Sequence, residues 1–375
     1  MKKLSPTYNV YTIIITVTIL QGCISQKYVK QYPELKMPDS YYGTMDSYSL
    51  GDFNRGQFFR DTILLSLIDT AIKNNLVLKN ATEKILISRA NLLMQKGLRL
   101  PSLNGHVSGS VDQYGKYTMT GVGNFDTNLS QNISEDQKIG EPVPEYFLGL
   151  KSSWEIDFWG KLRAKKESAR HSLLASESGK QWLTTQLVAQ VASLYYELLA
   201  LDNRLEIIRR NIDLQEKAVE IVEAQMQGGR ATALAVQQFN AQLKHTQVLE
   251  QQTRLNIIEM ENEMNVLLGR FAQTPVPRGL PLRLQIMSGS ITSGVPADLL
   301  TRRPDIRQAE MELSASKANV IAARKAFFPS IILTPHLGFN SFKLPLLFNG
   351  SSIASGLLGS LTQPIFNQYQ LKTNY

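Results

Sequence analysis

Apolar residues along this chain follow two different periods, and the switch points divide it into elements. Residues 57–100 carry apolar positions at helical spacing in two pieces, with Asn74-Asn75 as the break between them. Pro101 ends the second piece, because its ring clashes with the preceding turn and it has no amide hydrogen to donate. A period of two follows, in which Leu103, Gly105, Val107, Gly109 and Val111 alternate with Ser102, Asn104, His106, Ser108 and Ser110. A second alternating segment sets Leu148, Leu150, Trp154 and Ile156 against Lys151, Ser153, Glu155 and Asp157, with Trp154 and Trp159 near its end. The stretch from Gln113 to Glu145, rich in Gly, Asn, Asp and Ser, predicts a solvated loop between these strands.

After Gly160 the period becomes helical. Leu187, Val191, Leu194, Leu198, Leu201, Leu205, Ile208, Ile212, Gln215, Val219, Val222 and Met226 fall at alternating steps of four and three, a heptad seam. Helix over Lys165–Met226 would be roughly 90 Å long, beyond what a globular core covers. Gln227-Gly228-Gly229-Arg230 breaks it, and a second helical stretch over Thr232–Leu268 predicts a long antiparallel hairpin. Gln215 within the seam reads as a register device or a wet spot. A coiled coil used as a spacer would carry the same spacing.

The order helix, proline, strand, loop, strand, basic helical start occurs twice. LMQKGLRLPSLNGHVSGSV leading to WEIDFWGKLRAKK is answered by IAARKAFFPSIILTPHLGF leading to QPIFNQYQLKTNY. In register, Pro101 matches Pro329, Leu162 matches Leu371, and Arg163 matches Lys372. Tyr369 stands where the first copy has Gly160, which is expected to stiffen or tilt that strand-to-helix joint, and the second loop is about twenty residues shorter. By analogy with the first copy, about a hundred further residues would complete the second helical hairpin, so the chain reads as a fragment or a truncated frame.

Strands of about ten residues with one greasy and one polar face, tipped with aromatics, suit a transmembrane β-barrel, where closure satisfies every backbone hydrogen bond within lipid. One such hairpin would look the same in a soluble sheet; two, behind an export signal, favour the barrel. Four strands cannot close one, since the smallest single-chain barrels need about eight, so several chains must share it. Past the N-terminus no stretch reaches the roughly 18 apolar residues of a membrane-crossing helix. The net charge of +8 lies along the chain without a basic run, which argues for solvated faces and lipid-headgroup contacts and against nucleic acid.

The single cysteine excludes an internal disulfide or a cysteine-rich metal site. Cys23 follows Lys2, Lys3 and a short apolar run, and Leu20-Gln21-Gly22-Cys23 resembles a bacterial lipobox, so residues 1–22 read as a lipoprotein signal peptide and Cys23 as the lipid anchor. Residues 23–56 read as a lipidated tether. His106, His171, His245 and His336 have no ligand spacing, and neither a phosphate-binding loop nor a nucleophile motif is present, so no catalytic residue, metal or cofactor is assigned and an enzyme is not expected. The two strand histidines read as polar lining of the barrel.

Beyond the lipobox, WEIDFWGKLR at 154–163, GRATALAV at 229–236, GVPADLLTRRPDIRQAE at 294–310, AARKAFFPSIILT ending at Thr334 and QPIFN at 363–367 resemble the outer-membrane factors, in their lipoprotein branch. These are the trimeric exit ducts of tripartite efflux systems. The resemblance covers nearly all of the chain after residue 20. It implies an α+β membrane protein in which each protomer gives four strands to a shared twelve-stranded barrel and its helices to a hollow periplasmic cylinder. The implied function is a passive duct for drugs or other small solutes, in the outer membrane, with a periplasmic adaptor protein and an inner-membrane pump as partners. A lipid-anchored coiled-coil tether and a duct for protein secretion are the alternatives.

Under the same resemblance Gly228, Gly229, Arg230, Ala231, Thr232 and Leu234 form the hairpin tip that meets the adaptor. Ala235 stands where relatives often carry an acid. Arg302, Arg303, Pro304, Asp305 and Arg307 form a structural charge network rather than a substrate site. The acidic inner gate of the family would lie past Tyr375, and this chain alone is expected not to assemble a sealed duct. The expected domains after the tether are a first repeat at 57–290, with its β-hairpin at 102–157 and helical hairpin at 161–270, and a second at 291–375, with its β-hairpin at 330–365.

Overall fold

A computed structural model describes residues 55–285, 302–367 and 369–375. The lipobox with Cys23, the tether up to residue 54, and the whole GVPADLLT segment lie outside the described residues. The chain divides into two compact units, a helical one (55–88, 172–285 and 302–312) and a sheet-bearing one (89–171 and 313–375).

The helical unit opens with a single turn, α1 (Arg55–Phe58), followed by α2 (Thr62–Asn74) and α3 (Leu76–Gly97), which continues into the sheet unit. Asp61 caps α2 by accepting from the Ile63 and Leu64 amides at 2.8 and 3.3 Å. The break at Asn75 has a specific cause. Its Oδ1 accepts from Val77 and Leu78 to start α3, while its Nδ2 donates to the Leu267 carbonyl at 2.9 Å. α5 (Lys161–Gln227), which begins in the sheet unit, and α6 (Ala233–Leu267) form the long pair. Leu64, Leu67 and Ile68 of α2, Val191, Tyr195 and Leu198 of α5, and Met264 of α6 make the main core. Farther along, Ile208, Ile212 and Val219 pack with Leu243, and Glu250 joins Arg209 and Arg254. Gln215 sits half-buried between these layers, with its Oε1 shielded from solvent and without a hydrogen-bond partner. α7 (Pro304–Lys325) starts here, with Pro304 at its first position, where a missing amide hydrogen costs nothing.

Both long helices end in the same way. Gly229, at φ +72°, donates to Met226 while Arg230 donates to Gln225; Gly269, at φ +64°, donates to Val266 while Arg270 donates to Asn265. This is the paired closure that needs a left-handed residue after the last turn, which glycine adopts without penalty.

The sheet unit contains β1 (Ser102–Asp112), β2 (Val143–Ile156), β3 (Ser330–Ser341) and β4 (Ile353–Thr362) in one antiparallel sheet of order β1-β2-β3-β4. Register pairs Ser102 with Ser153, Leu150 with Leu337 and Leu333 with Gly359. Two sequence expectations need correction here. β2 begins at Val143 rather than after Glu145, and the loop before it is not wholly irregular, because it holds α4 (Met119–Leu129) capped by Thr118. Met119, Val122, Phe125 and Leu129 recur at helical spacing and stand exposed. That spacing was readable, but the surrounding glycines and asparagines outweighed it. The segment between β1 and β2 is 30 residues (113–142) and that between β3 and β4 is 11 (342–352), a difference of 19.

Candidate functional site

Residues paired across an antiparallel sheet share a face, so the register sorts the side chains. One face carries Leu103, Val107, Leu148, Leu150, Trp154, Leu333, Leu337, Phe339 and Leu357. Val107 is 76% exposed and Leu357 70%, and little of the unit covers this face. An uncovered apolar sheet face of this extent needs a nonaqueous partner. A ten-residue strand tilted as in a barrel would rise roughly 25 Å, the height of the apolar band of an outer-membrane barrel. The outer edges of β1 and β4 have no strand beside them among the described residues, so their backbone groups await partners.

The other face is mainly polar, although Ile332 and Leu358 also lie on it. Asn104, His106, Ser108, Lys151, Glu155, His336 and Asn340 lie on it, and so does Phe147, which is only 8% exposed. Phe147 arches over the facing pair Gly149 and Gly338. A Cβ built on either glycine would come within 2.5 or 2.6 Å of the other's Cα, and within 3.0 Å of the Phe147 ring. The aromatic ring covers what two glycines leave open, a known way of repairing glycine in a sheet. His106 and His336 lean on Phe147 from either side, at 5.9 and 6.3 Å between ring centres, and the Lys151 ammonium lies 4.7 Å from it. The histidines therefore line the polar face against an aromatic rather than standing alone. No cluster of three or more metal-ligating side chains exists among the described residues.

At the strand-to-helix joint the sequence WEIDFWGK is read out residue by residue. Trp154 Nε1 donates to the Arg99 carbonyl at 3.0 Å, and Trp159 Nε1 donates to the Pro329 carbonyl at 2.8 Å while its ring stacks on Phe328. Asp157 accepts from the Leu162 and Arg163 amides at 2.9 and 2.7 Å, capping α5. Gly160 turns the chain at φ +77°. The second copy makes the same left-handed turn at Tyr369, with φ +64° and ψ +3°, before α8 (Gln370–Asn374). A bulky residue there is strained by roughly 1 kcal/mol, partly offset by the backbone entropy that glycine would cost. Tyr369→Gly is therefore expected to raise stability by roughly 0.5 kcal/mol and Gly160→Ala to lower it by about 1, read from urea midpoints of the detergent-held chain.

The residues assigned to the hairpin tip fall together. Gly228, Gly229, Arg230 and Thr232 are exposed, Ala231 is half-buried, Leu234 is 68% exposed, and Thr232 caps α6 by accepting from the Ala235 amide at 3.3 Å. Of the charged string, Arg303 and Asp305 pair through two hydrogen bonds at 3.1 and 2.5 Å, the bonds from Arg303 holding the Asp305 carboxyl below its ordinary range. Arg302 and Arg307 lie exposed. Reading the sequence missed a further polar centre in the helical unit. Asp61 Oδ2 accepts from the Tyr195 hydroxyl at 2.7 Å and from Gln285 at 2.9 Å, and that hydroxyl in turn accepts from the Gly279 amide at 2.8 Å. Nearby, Arg278 bridges Asp202, at 2.9 Å, and Glu261. Only the Asp-Thr start before an apolar run signalled Asp61 beforehand.

Comparison with known proteins places these features in context. The family model "Outer membrane efflux protein" matches residues 67–270 and 295–375. The "Solvent efflux pump outer membrane protein SrpC" of Pseudomonas putida is 31% identical over 320 residues, 85% of this chain and 64% of that protein. The "Probable outer membrane lipoprotein SilC" of Salmonella typhimurium is 30% identical over 366 residues, 96% of this chain and 75% of its own length. The open-state MtrE outer membrane channel of Neisseria gonorrhoeae superposes with a TM-score of 0.76 at 26% identity, covering 93% of this chain and 74% of that one. The chain thus spans just under two thirds of the length of SrpC.

Proposed function

The chain belongs to the outer membrane efflux protein family and so to the outer membrane, and from that premise we propose that it is the outer-membrane channel component of a tripartite efflux system. It performs no chemistry. It serves as a passive exit duct for drugs or other small solutes. Three copies close one barrel, each adding four strands edge to edge, and the helical hairpins extend into the periplasm as a continuing wall. The two strand-bearing halves act as repeats of one unit. Cys23 carries acyl chains, and several buried chains at roughly 0.8 kcal/mol per methylene hold the protein on the membrane. The exposed turn at Gly228, Gly229, Arg230, Ala231, Thr232 and Leu234 meets a periplasmic adaptor, itself bound to an inner-membrane pump, and Arg303 and Asp305 belong to a structural charge network.

The observation that supports this reading best is the uncovered apolar face of a sheet whose two edges have no strand beside them among the described residues. A tethering lipoprotein would have no use for such a face. Extraction separates the two readings. In the Cys23→Ser variant the chain is expected to stay in the membrane fraction through salt and carbonate washes and to require detergent. Release into the aqueous wash would contradict the barrel.

A further inference from the structure

All four passages between helix and strand lie at one end of the sheet, the end marked by Ser102, Ile156, Ile331 and Thr362. Residues 96–101, 154–167, 324–330 and 366–375 form these passages and carry nine lysines and arginines and three acids, a net charge of 9 − 3 = +6. The whole chain carries +8. At the opposite end, the two loops 113–142 and 342–352 carry three lysines and four acids, 3 − 4 = −1. Read along the chain the positive charge looks evenly spread; the fold gathers most of it at one end of the strands.

The three acids at this end are already engaged. Glu155 pairs with Lys161 at 2.5 Å, Asp157 caps α5, and Glu167 lies within 3.7 Å of Lys166 and 3.6 Å of Arg170. Lys96, Arg163 and Lys165 are exposed. Arg99 is more telling, because its Nε is shielded from water and has no acceptor, while its carbonyl holds the indole of Trp154. Trp154 belongs to the apolar face. The unused donor of Arg99 therefore sits where that face ends, beside Trp154 and within the same unit as the aromatic pair Trp159 and Phe328.

We propose that this end of the sheet is a binding belt for anionic phospholipid headgroups of the membrane leaflet nearest the helices, with Lys96, Arg99, Arg163 and Lys165 supplying the charge and Trp154 and Trp159 fixing its depth. The inference rests on the barrel reading of the sheet. Indole rings are enriched at the headgroup level of a bilayer, and basic side chains beside them meet phosphate; here both indole N–H groups are already held by the Arg99 and Pro329 carbonyls, which fixes the rings at the end of the apolar face. The charge difference between the ends also orients the sheet, since the −1 end has no comparable attraction for an anionic surface.

The test uses the full chain carrying Trp182→Phe, so that Trp154 and Trp159 are the remaining fluorophores. It is reconstituted in brominated phosphatidylcholine, in brominated phosphatidylglycerol and in mixtures, and quenching gives the relative affinity of the two lipids at the belt. Phosphatidylglycerol is expected to be preferred by about five-fold or more, and the preference to fall toward unity in high salt. It should also vanish in the variant carrying Lys96→Gln, Arg99→Gln, Arg163→Gln and Lys165→Gln, which must still be quenched by phosphatidylcholine, showing that it remains folded and inserted. Equal affinity in the unaltered chain, or a preference that survives the four substitutions, would overturn the belt alone. No quenching by either lipid would overturn the membrane reading beneath it.

Discussion

Asp61→Ala is expected to destabilise the helical unit by roughly 3 kcal/mol, the sum of a lost helix cap and two hydrogen-bonding groups left without their acceptor. The Asp61 carboxylate caps α2 through one oxygen and takes Tyr195 and Gln285 on the other. Tyr195 is completely buried among the largest side chains of the core, so its hydroxyl cannot turn to water instead. Burial pushes the Asp61 carboxyl up, but the bonds from Tyr195, Gln285 and the two amides outweigh it and hold it below its ordinary value. Burial and then Asp61 push the Tyr195 hydroxyl well above its own. A carboxyl with a depressed folded value contributes stability above its unfolded pKa of about 4 and loses it as pH falls through the lower folded value. Stability of the unaltered chain should thus drop on acidification below about pH 4, and the Asp61→Ala variant should lack that part of the drop. Urea unfolding followed by helical circular dichroism at two pH values measures both effects.

In the sheet unit the expected large effect is Gly149→Ala, at roughly 2–3 kcal/mol of destabilisation. The added methyl would lie 2.5 Å from both the Gly338 Cα and the Leu337 carbonyl oxygen, and 2.9 Å from Phe147. Two of these three are backbone atoms and cannot swing aside, so β2 and β3 must separate where they carry Phe147. Phe147→Leu is a milder control, since it uncovers the glycines without forcing the strands apart. Loss of the folded sheet in detergent, read by β-sheet circular dichroism, should be pronounced for Gly149→Ala and slight for Phe147→Leu. Equal behaviour of the two would contradict the backbone clash.

The long helices and the alternating strands could be read in the sequence because each element buries one face, and a face leaves a period. Seam positions such as Val191, Leu198 and Ile212 are buried, as a heptad dictates. The turn at Gly228 and Gly229 was readable for a different reason, since a left-handed residue after a long helix selects glycine. Contacts between distant segments leave no period. Asp61 meets Tyr195 and Gln285 across 134 and 224 residues, and only the register sets Gly149 against Gly338, the pair that Phe147 covers. The grouping of positive charge is of the same kind, being a property of four segments that only the topology brings to one end. Tyr369 stands between these cases. Its place opposite Gly160 marked the joint in the sequence, and the backbone keeps the left-handed turn that a tyrosine disfavours.

In the proposed barrel, alternate residues of each strand face hydrocarbon while their neighbours line an aqueous interior. Single cysteines placed in turn from Leu103 to Val111, in the Cys23→Ser background, can be spin-labelled in reconstituted membranes and probed with oxygen, which partitions into lipid, and with a water-soluble nickel complex. At Leu103, Val107 and Val111 oxygen should dominate, and at Asn104, His106 and Ser108 the nickel complex should dominate, with a period of two. Uniform access of the nickel complex along the strand would contradict the account.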